Sequence, residues 1–234
     1  MSESSAGFFQ ALNVRLDRYD LLQHPYYQAW SKGELTQGDL REYAAEYWHH
    51  VSAFPAYLSA LHSRLPDGAL RRMVAANLAD EEGLAHGDVA HSDLWMDFAG
   101  GMGAEESEVR GREVAAETRA LLKHFRGAME GSPATALAAL YAYESRVPAI
   151  ARTKAEGLES YYAAGERTRR YFTVHTTADV FHAQVWRDAL AAELAAHPEQ
   201  TDAALAAGED AARMLWATLD GVERGRQTRA AAAA

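Results

Sequence analysis

The sequence contains no cysteine. That one absence excludes disulfides, thiolate-bound haem, cysteine-ligated iron–sulfur clusters, cysteine-type zinc sites and cysteine nucleophiles, so any metal has to be held by histidines and carboxylates. No stretch approaches the roughly 18 consecutive apolar residues of a membrane-spanning helix, and Met1 to Gln10 carries no basic segment followed by an apolar one. The expectation is a soluble, cytoplasmic protein without a membrane partner. Basic residues are in deficit, with 23 Lys+Arg against 33 Asp+Glu and a net charge of −10. No Lys/Arg block interrupts that deficit, and phosphate contacts need one, so nucleic acid is not an expected partner. Proline is sparse, at six residues, and alanine is abundant, a balance that favours long helices over strands.

What the sequence has in quantity is helical periodicity. Hydrophobic residues make up 48% of the chain, enough to bury a core, and they recur at helical rather than strand spacing almost throughout. We expect an all-α bundle of about seven or eight helices. A first helix is expected over Phe8 to Tyr19, followed by a turn at His24-Pro25. Thr36 with Asp39 three residues on is a capping box for a helix to about His62, which Pro55 should kink. Further helices are expected from Ala69 to near Gly83–Gly87, over His91 to Gly101, and over Ser107 to Met129. Ser132-Pro133 opens another, running at least to Arg146 and bent or ended by Pro148. Two more follow over Arg167 to Ala196 and Thr201 to Glu223. The terminal RGRQTRAAAAA has no apolar face, so a single domain is expected over 1–224 with a disordered tail over 225–234.

Ionisable residues interrupt the apolar stripes of three of these helices. In a bundle such residues must be neutralised, paired or bound to a metal. The stripe Leu70, Met73, Val74, Asn77, Leu78 continues onto Glu81, while Asp80 and Glu82 point about 100° to either side. Glu144 falls in the stripe of Leu137, Leu140, Tyr141 and Val147. In YFTVHTTADVFHAQVW, His175, Asp179 and His182 stand at i, i+4 and i+7 within an arc of about 60° on a straight helix, with Phe172, Val185 and Trp186. Chance would supply such a triplet only about 0.06 times per chain of this composition. Singly, Glu81 would read as a core carboxylate paired with an arginine such as Arg146 or Arg152, and His175 as a core histidine. Together the five form an inward N/O set of the kind that holds two iron or manganese ions in a helix bundle. A sixth ligand would be His91 or His86. Tyr141 and Tyr171, one turn before Glu144 and His175, stand between core packing and the site, and Tyr141 is counted with the catalytic set. Lys154 reads by itself as a solvated lysine, and His49, His50 and His62 have no partner at ligand spacing.

The blocks HPYYQAWSKGEL, YWHHVSAFPAYLSALHSRL, NLADEEG, HSDLWMDFA, ALAALYAYESRVPAIARTKAEGL and YFTVHTTADVFHAQVW occur in order across roughly residues 20–190. In them the chain resembles the chlamydial death-domain-associating protein (CADD)-like family, a folate-metabolism family. More loosely it is similar to the haem-oxygenase-like di-metal oxidases, whose scaffold PqqC and TenA proteins share. The resemblance implies a haem-oxygenase-like bundle without haem, binding two transition metals, iron or iron with manganese. Carried over by position, the ligands would be Glu81, His91, Glu144, His175, Asp179 and His182. The segment EEGLAHGDVAH is longer than the family's, which keeps His86 open as a substitute for His91.

The resemblance also implies an oxidase that makes p-aminobenzoate for folate from its own side chains, using O2 and an external reductant. The ring would come from Tyr27, the nitrogen from Lys154, and Tyr43 matches a tyrosine adjacent to the site. Two other readings stay open at this point. One is a conventional di-metal oxidase or oxygenase turning over an external small molecule. The other is a metal-free PqqC-like oxidase or a protein-binding module, although nothing in the sequence supports a death-domain partner. A homodimer is allowed by the sequence but not indicated by it.

Overall fold

A computed structural model describes residues 3–85 and 88–233, and among these every regular element is helical. There are twelve α-helices: α1 (Glu3–Leu16), α2 (Pro25–Ser31), α3 (Gln37–Arg64), α4 (Ala69–Glu81), α5 (His91–Gly101), α6 (Glu106–Gly111), α7 (Ala116–Glu130), α8 (Pro133–Glu144), α9 (Val147–Tyr161), α10 (Glu166–His175), α11 (Ala178–Ala196) and α12 (Thr201–Ala233). None is long and apolar enough to cross a membrane. The all-α class is as the periodicity predicts, and the larger number of helices comes from breaks that periodicity does not show.

Each break has a local cause. The expected helix over Ser107 to Met129 is two, α6 and α7, because the buried Glu46 of α3 accepts the Ala115 amide (2.8 Å) and the Thr118 hydroxyl (2.6 Å) at the start of α7. Arg112 bonds to the other oxygen of the same carboxylate at 2.8 Å. α8 ends at Glu144 because the Pro148 ring would clash with the Glu144 carbonyl and has no N–H to bond it. Pro148 then sits in the first turn of α9, a helix the sequence reading omits. The expected helix over Arg167 to Ala196 is interrupted at Thr176–Thr177, which separates α10 from α11. The tail predicted to be disordered is instead helical to Ala233. Alanine is the best helix former, and Arg229 ties this end down by donating to Asp39 at 3.1 Å.

At the centre lies α8, opened by the expected Ser132 cap and Pro133, and packed against α7, α11 and α12. Ala134 and every residue from Ala136 to Ala142 are buried, so no face of this helix is a solvent face. The core forms two clusters. One gathers Leu137, Leu140, Phe125, Leu58 and Trp186; the other is strongly aromatic, with Tyr26, Trp30, Tyr43, Trp95 and Phe172. α9 comes close to α2 because residue 157 is glycine: a Cβ there would lie 2.8 Å from Trp30 Cδ1. The same approach lets Trp30 Nε1 donate to the Lys154 carbonyl at 3.3 Å, which seats Lys154 beside α2.

Candidate metal centre

Five of the six expected ligands stand at or next to a helix end, and all six are between 2% and 6% exposed. They fall into two groups of three whose ligand atoms lie within 4.8 Å of one another: Glu81, His91 and His175, and Glu144, Asp179 and His182. The expectation that His175, Asp179 and His182 share one stripe is therefore corrected. The break at Thr176–Thr177 turns His175 into the first group and leaves the other two residues in the second. His86 lies outside the described residues.

In the first group Glu81 closes α4 and His91 opens α5. Gly83 makes this return possible: its φ is +62°, and a Cβ there would lie 2.4 Å from the Ala90 amide nitrogen. His91 Nδ1 then lies 3.0 Å from Glu81 Oε2, and the His91 and His175 ring centroids are 4.4 Å apart. The carbonyl of Tyr171 accepts from His175 Nδ1 at 2.6 Å. That bond fixes the tautomer and leaves Nε2 as the free lone pair, the arrangement usual for a ligating histidine. Burial lowers the His175 imidazole below its ordinary value, so it stays neutral.

In the second group His182 Nδ1 lies 3.4 Å from Asp179 Oδ1 and 3.6 Å from Glu144 Oε2, while its Nε2 donates to Asp80 Oδ2 at 3.2 Å. Asp80 thus orients the ring from the solvent side. No hydrogen bond of good geometry reaches either Glu144 oxygen among the described residues, and the Trp186 indole offers the carboxylate only a weak contact. A buried carboxylate with nothing to bond is costly unless a cation or a proton meets it. Burial, then the negative charge of Asp179, push the Glu144 carboxyl well above its usual range. For His182 burial opposes the charged form, but Asp179, Glu144 and Asp80 outweigh it and raise the group to about 9. The six N/O donors, the orphaned carboxylate and the oriented imidazoles fit a pair of divalent transition-metal ions.

A pH dependence follows. The raised His182 stabilises the metal-free fold fully below pH 6.5, and this contribution is lost as pH rises through about 9. Glu144 acts in the same direction, since its folded form holds a proton that the unfolded chain releases earlier. A metal ion held by this group would have to displace these protons. Its affinity is therefore expected to rise from pH 6.5 towards 9, by up to about tenfold per unit for each proton released. Anaerobic competition titration with Mn(II) measures this; an affinity flat across that range would contradict the protonation scheme.

Beside these two groups is an aromatic chamber. Lys154 Nζ, on α9, donates to the hydroxyls of Tyr27 (2.7 Å) and Tyr43 (2.5 Å), which are 3.0 Å from each other. Nζ also lies 4.2 Å from the Tyr27 ring centroid and 4.6 Å from that of Tyr43. Lys154 is 5% exposed and has no carboxylate partner among its described contacts. Burial drives its amine well below the usual lysine value and the two phenols well above theirs, which favours the neutral form of each. Tyr27 is held in place through His24, which caps α2: His24 Nδ1 accepts the Tyr26 amide and Nε2 donates to Asp220 of α12, both at 3.1 Å.

Tyr27, Tyr43 and Lys154 are thus brought together, and Tyr141 is not with them. Its ring packs edge-on against Phe9 at 5.2 Å and its hydroxyl bonds Asn13 at 3.4 Å, away from both groups of ligands. Tyr143 takes the position next to the site, lining with Tyr171 both the cavity at the ligands and the chamber around Lys154. Periodicity does not single it out, because α8 is buried on all sides and spacing does not say which tyrosine faces which neighbour. Asp80 was missed because its spacing places it off the apolar stripe; its adjacency to Glu81 was the available signal.

Over residues 41–216 the chain matches a family described as iron-containing redox enzymes. It is 39% identical to the 4-aminobenzoate synthase of Nitrosomonas europaea over 227 residues, covering 92% of this chain and 90% of that one. It is 35% identical to the 4-aminobenzoate synthase of Chlamydia pneumoniae over 211 residues, covering 90% and 92%. A crystal structure of a domain of unknown function with a haem-oxygenase-like fold, from Shewanella denitrificans, aligns with a TM-score of 0.77 at 17% identity over 95% of this chain and 93% of that one. At that identity it bears on the fold alone.

Proposed function

Because this chain belongs to the family of iron-containing redox enzymes, we propose that it is an O2-dependent oxidase that forms 4-aminobenzoate, taking the ring from its own Tyr27 and the nitrogen from its own Lys154. The observation that carries the reading is the Lys154–Tyr27 contact: an uncharged amine buried against a phenol, in a chamber that shares Tyr143 and Tyr171 with the cavity at the metal ligands.

Glu81, His91 and His175 would hold one metal ion and Glu144, Asp179 and His182 the other. Two iron ions, or iron with manganese, would supply O2 activation there, with electrons from an external reductant. The remaining contributions come from the chain. The two N–H groups of a neutral Lys154 amine are directed to the Tyr27 and Tyr43 oxygens, leaving its lone pair as a nucleophile. Tyr27 stays a protonated phenol and so has a hydroxyl hydrogen to give up, with Tyr43 Oη 3.0 Å away to relay it. Trp30, Trp95 and Phe172, each 1% exposed, exclude water from the chamber.

The test is metal analysis with intact-mass and peptide mass spectrometry, before and after reduction and exposure to O2. One 4-aminobenzoate per chain is expected, with mass lost at Tyr27 and Lys154 altered. Product accumulating beyond one per chain from protein of unchanged mass would replace this reading with an oxidase acting on an external substrate.

A further inference from the structure

The chamber is the floor of a longer cavity. From Lys154 and Tyr27, 5% and 4% exposed, it runs between apolar walls that include Leu16, Ile150 and Leu215 to Arg146, whose side chain is 35% exposed. The basic lining residues are Lys154, buried at the floor, and Arg146 at the exposed end, where its charge stays in contact with water. By sequence alone Arg146 is a candidate partner for the core carboxylate Glu81. It points the other way, and its Nη2 donates to the exposed Asp17 at 2.8 Å. A guanidinium carries five N–H donors in a planar fork, and Asp17 occupies one of them in this structure.

We propose that this cavity is a binding site for an aromatic carboxylate, with the ring between the apolar walls and the carboxylate on Arg146, displacing Asp17. An aryl ring needs apolar contact and its carboxylate a cation near water, and the cavity offers these in that order from floor to mouth. Identifying the physiological ligand as the 4-aminobenzoate formed at Tyr27 rests on the proposed function. The site would then draw the product outwards, because a carboxylate at the buried floor would be kept from water, whereas at the mouth it meets both water and the Arg146 fork. Asp17 competes for the same fork, so its removal strengthens binding.

Isothermal titration of the full-length protein with benzoate and with the uncharged benzamide tests this without turnover. Benzoate should bind about tenfold more tightly than benzamide, the scale of one charge-assisted hydrogen-bond pair. Arg146→Gln should abolish that ratio, and Asp17→Asn should raise it. Equal affinity for the two probes, or a ratio unmoved by Arg146→Gln, overturns the site. Should Arg146→Gln fail to fold, an unchanged benzoate affinity in Asp17→Asn overturns it equally. Benzoate binding as described in a protein that makes no 4-aminobenzoate would sink the proposed function and leave the site standing. Product formed without benzoate binding would do the reverse.

Discussion

Lys154→Met should abolish 4-aminobenzoate formation and leave the protein at least as stable as the parent. Methionine matches the length of the lysine stem and brings no charge into the chamber. The variant loses the bonds from Nζ to Tyr27 and Tyr43, but these two hydroxyls, 3.0 Å apart, keep each other as partners. Against that loss stands the removed cost of keeping an amine fully out of water, so unfolding in urea should show a change between zero and about 2 kcal/mol in favour of the variant. Lys154→Arg should move the opposite way, by about 3 kcal/mol or more, because a guanidinium cannot shed its charge when buried. Two bound metals with no product in Lys154→Met would place the defect at the nitrogen donor. Product formed at the parental yield by Lys154→Met would remove Lys154 from the reaction.

The second large effect is expected at Glu144. Glutamine has the same shape and cannot carry the charge that Asp179 opposes. The metal-free Glu144→Gln protein should therefore be more stable than the metal-free parent, by about 1 to 3 kcal/mol. Its affinity for metal at the second group should fall by about a hundredfold or more. The stabilisation on adding metal, large in the parent, should shrink to what the Glu81, His91 and His175 group supplies. Thermal unfolding with and without metal, alongside elemental analysis, reads both effects. Two tightly held equivalents in Glu144→Gln would refute a ligand role for this carboxylate. The opposite signs follow from one cause: an orphaned carboxylate is a liability in a free core and an asset beside a cation.

How far the site was legible depended on what each residue's neighbours are. Glu81 and Glu144 stood out because an acid on an apolar stripe needs a partner, and the structure buries both. His175, Asp179 and His182 stood out by spacing, but their allocation did not, because it depends on the break at Thr176–Thr177. No proline or glycine marks that break in the sequence. Lys154 was unreadable from composition and spacing, since a lysine beyond the expected end of a helix is ordinarily solvated. Only the resemblance singled it out, and α9 is what buries it. Tyr141 stood out by its place on the stripe one turn before Glu144, but α8 is buried on all sides, so spacing alone does not say which of its tyrosines faces the candidate ligands.

By itself the sequence determined that the protein is helical, that any metal must rest on histidine and carboxylate, and which buried acids and histidines need compensation. These follow from composition and from the 3.6-residue period, which are local properties. The tertiary structure decided which three of the six candidate ligands stand together, that Asp80 meets His182, that Tyr143 rather than Tyr141 lines the cavity beside them, and that the Lys154 amine is buried against Tyr27. Each of these pairs elements far apart in the chain. Their distances and dielectric surroundings exist only once α2, α4, α8, α9 and α11 are packed against one another.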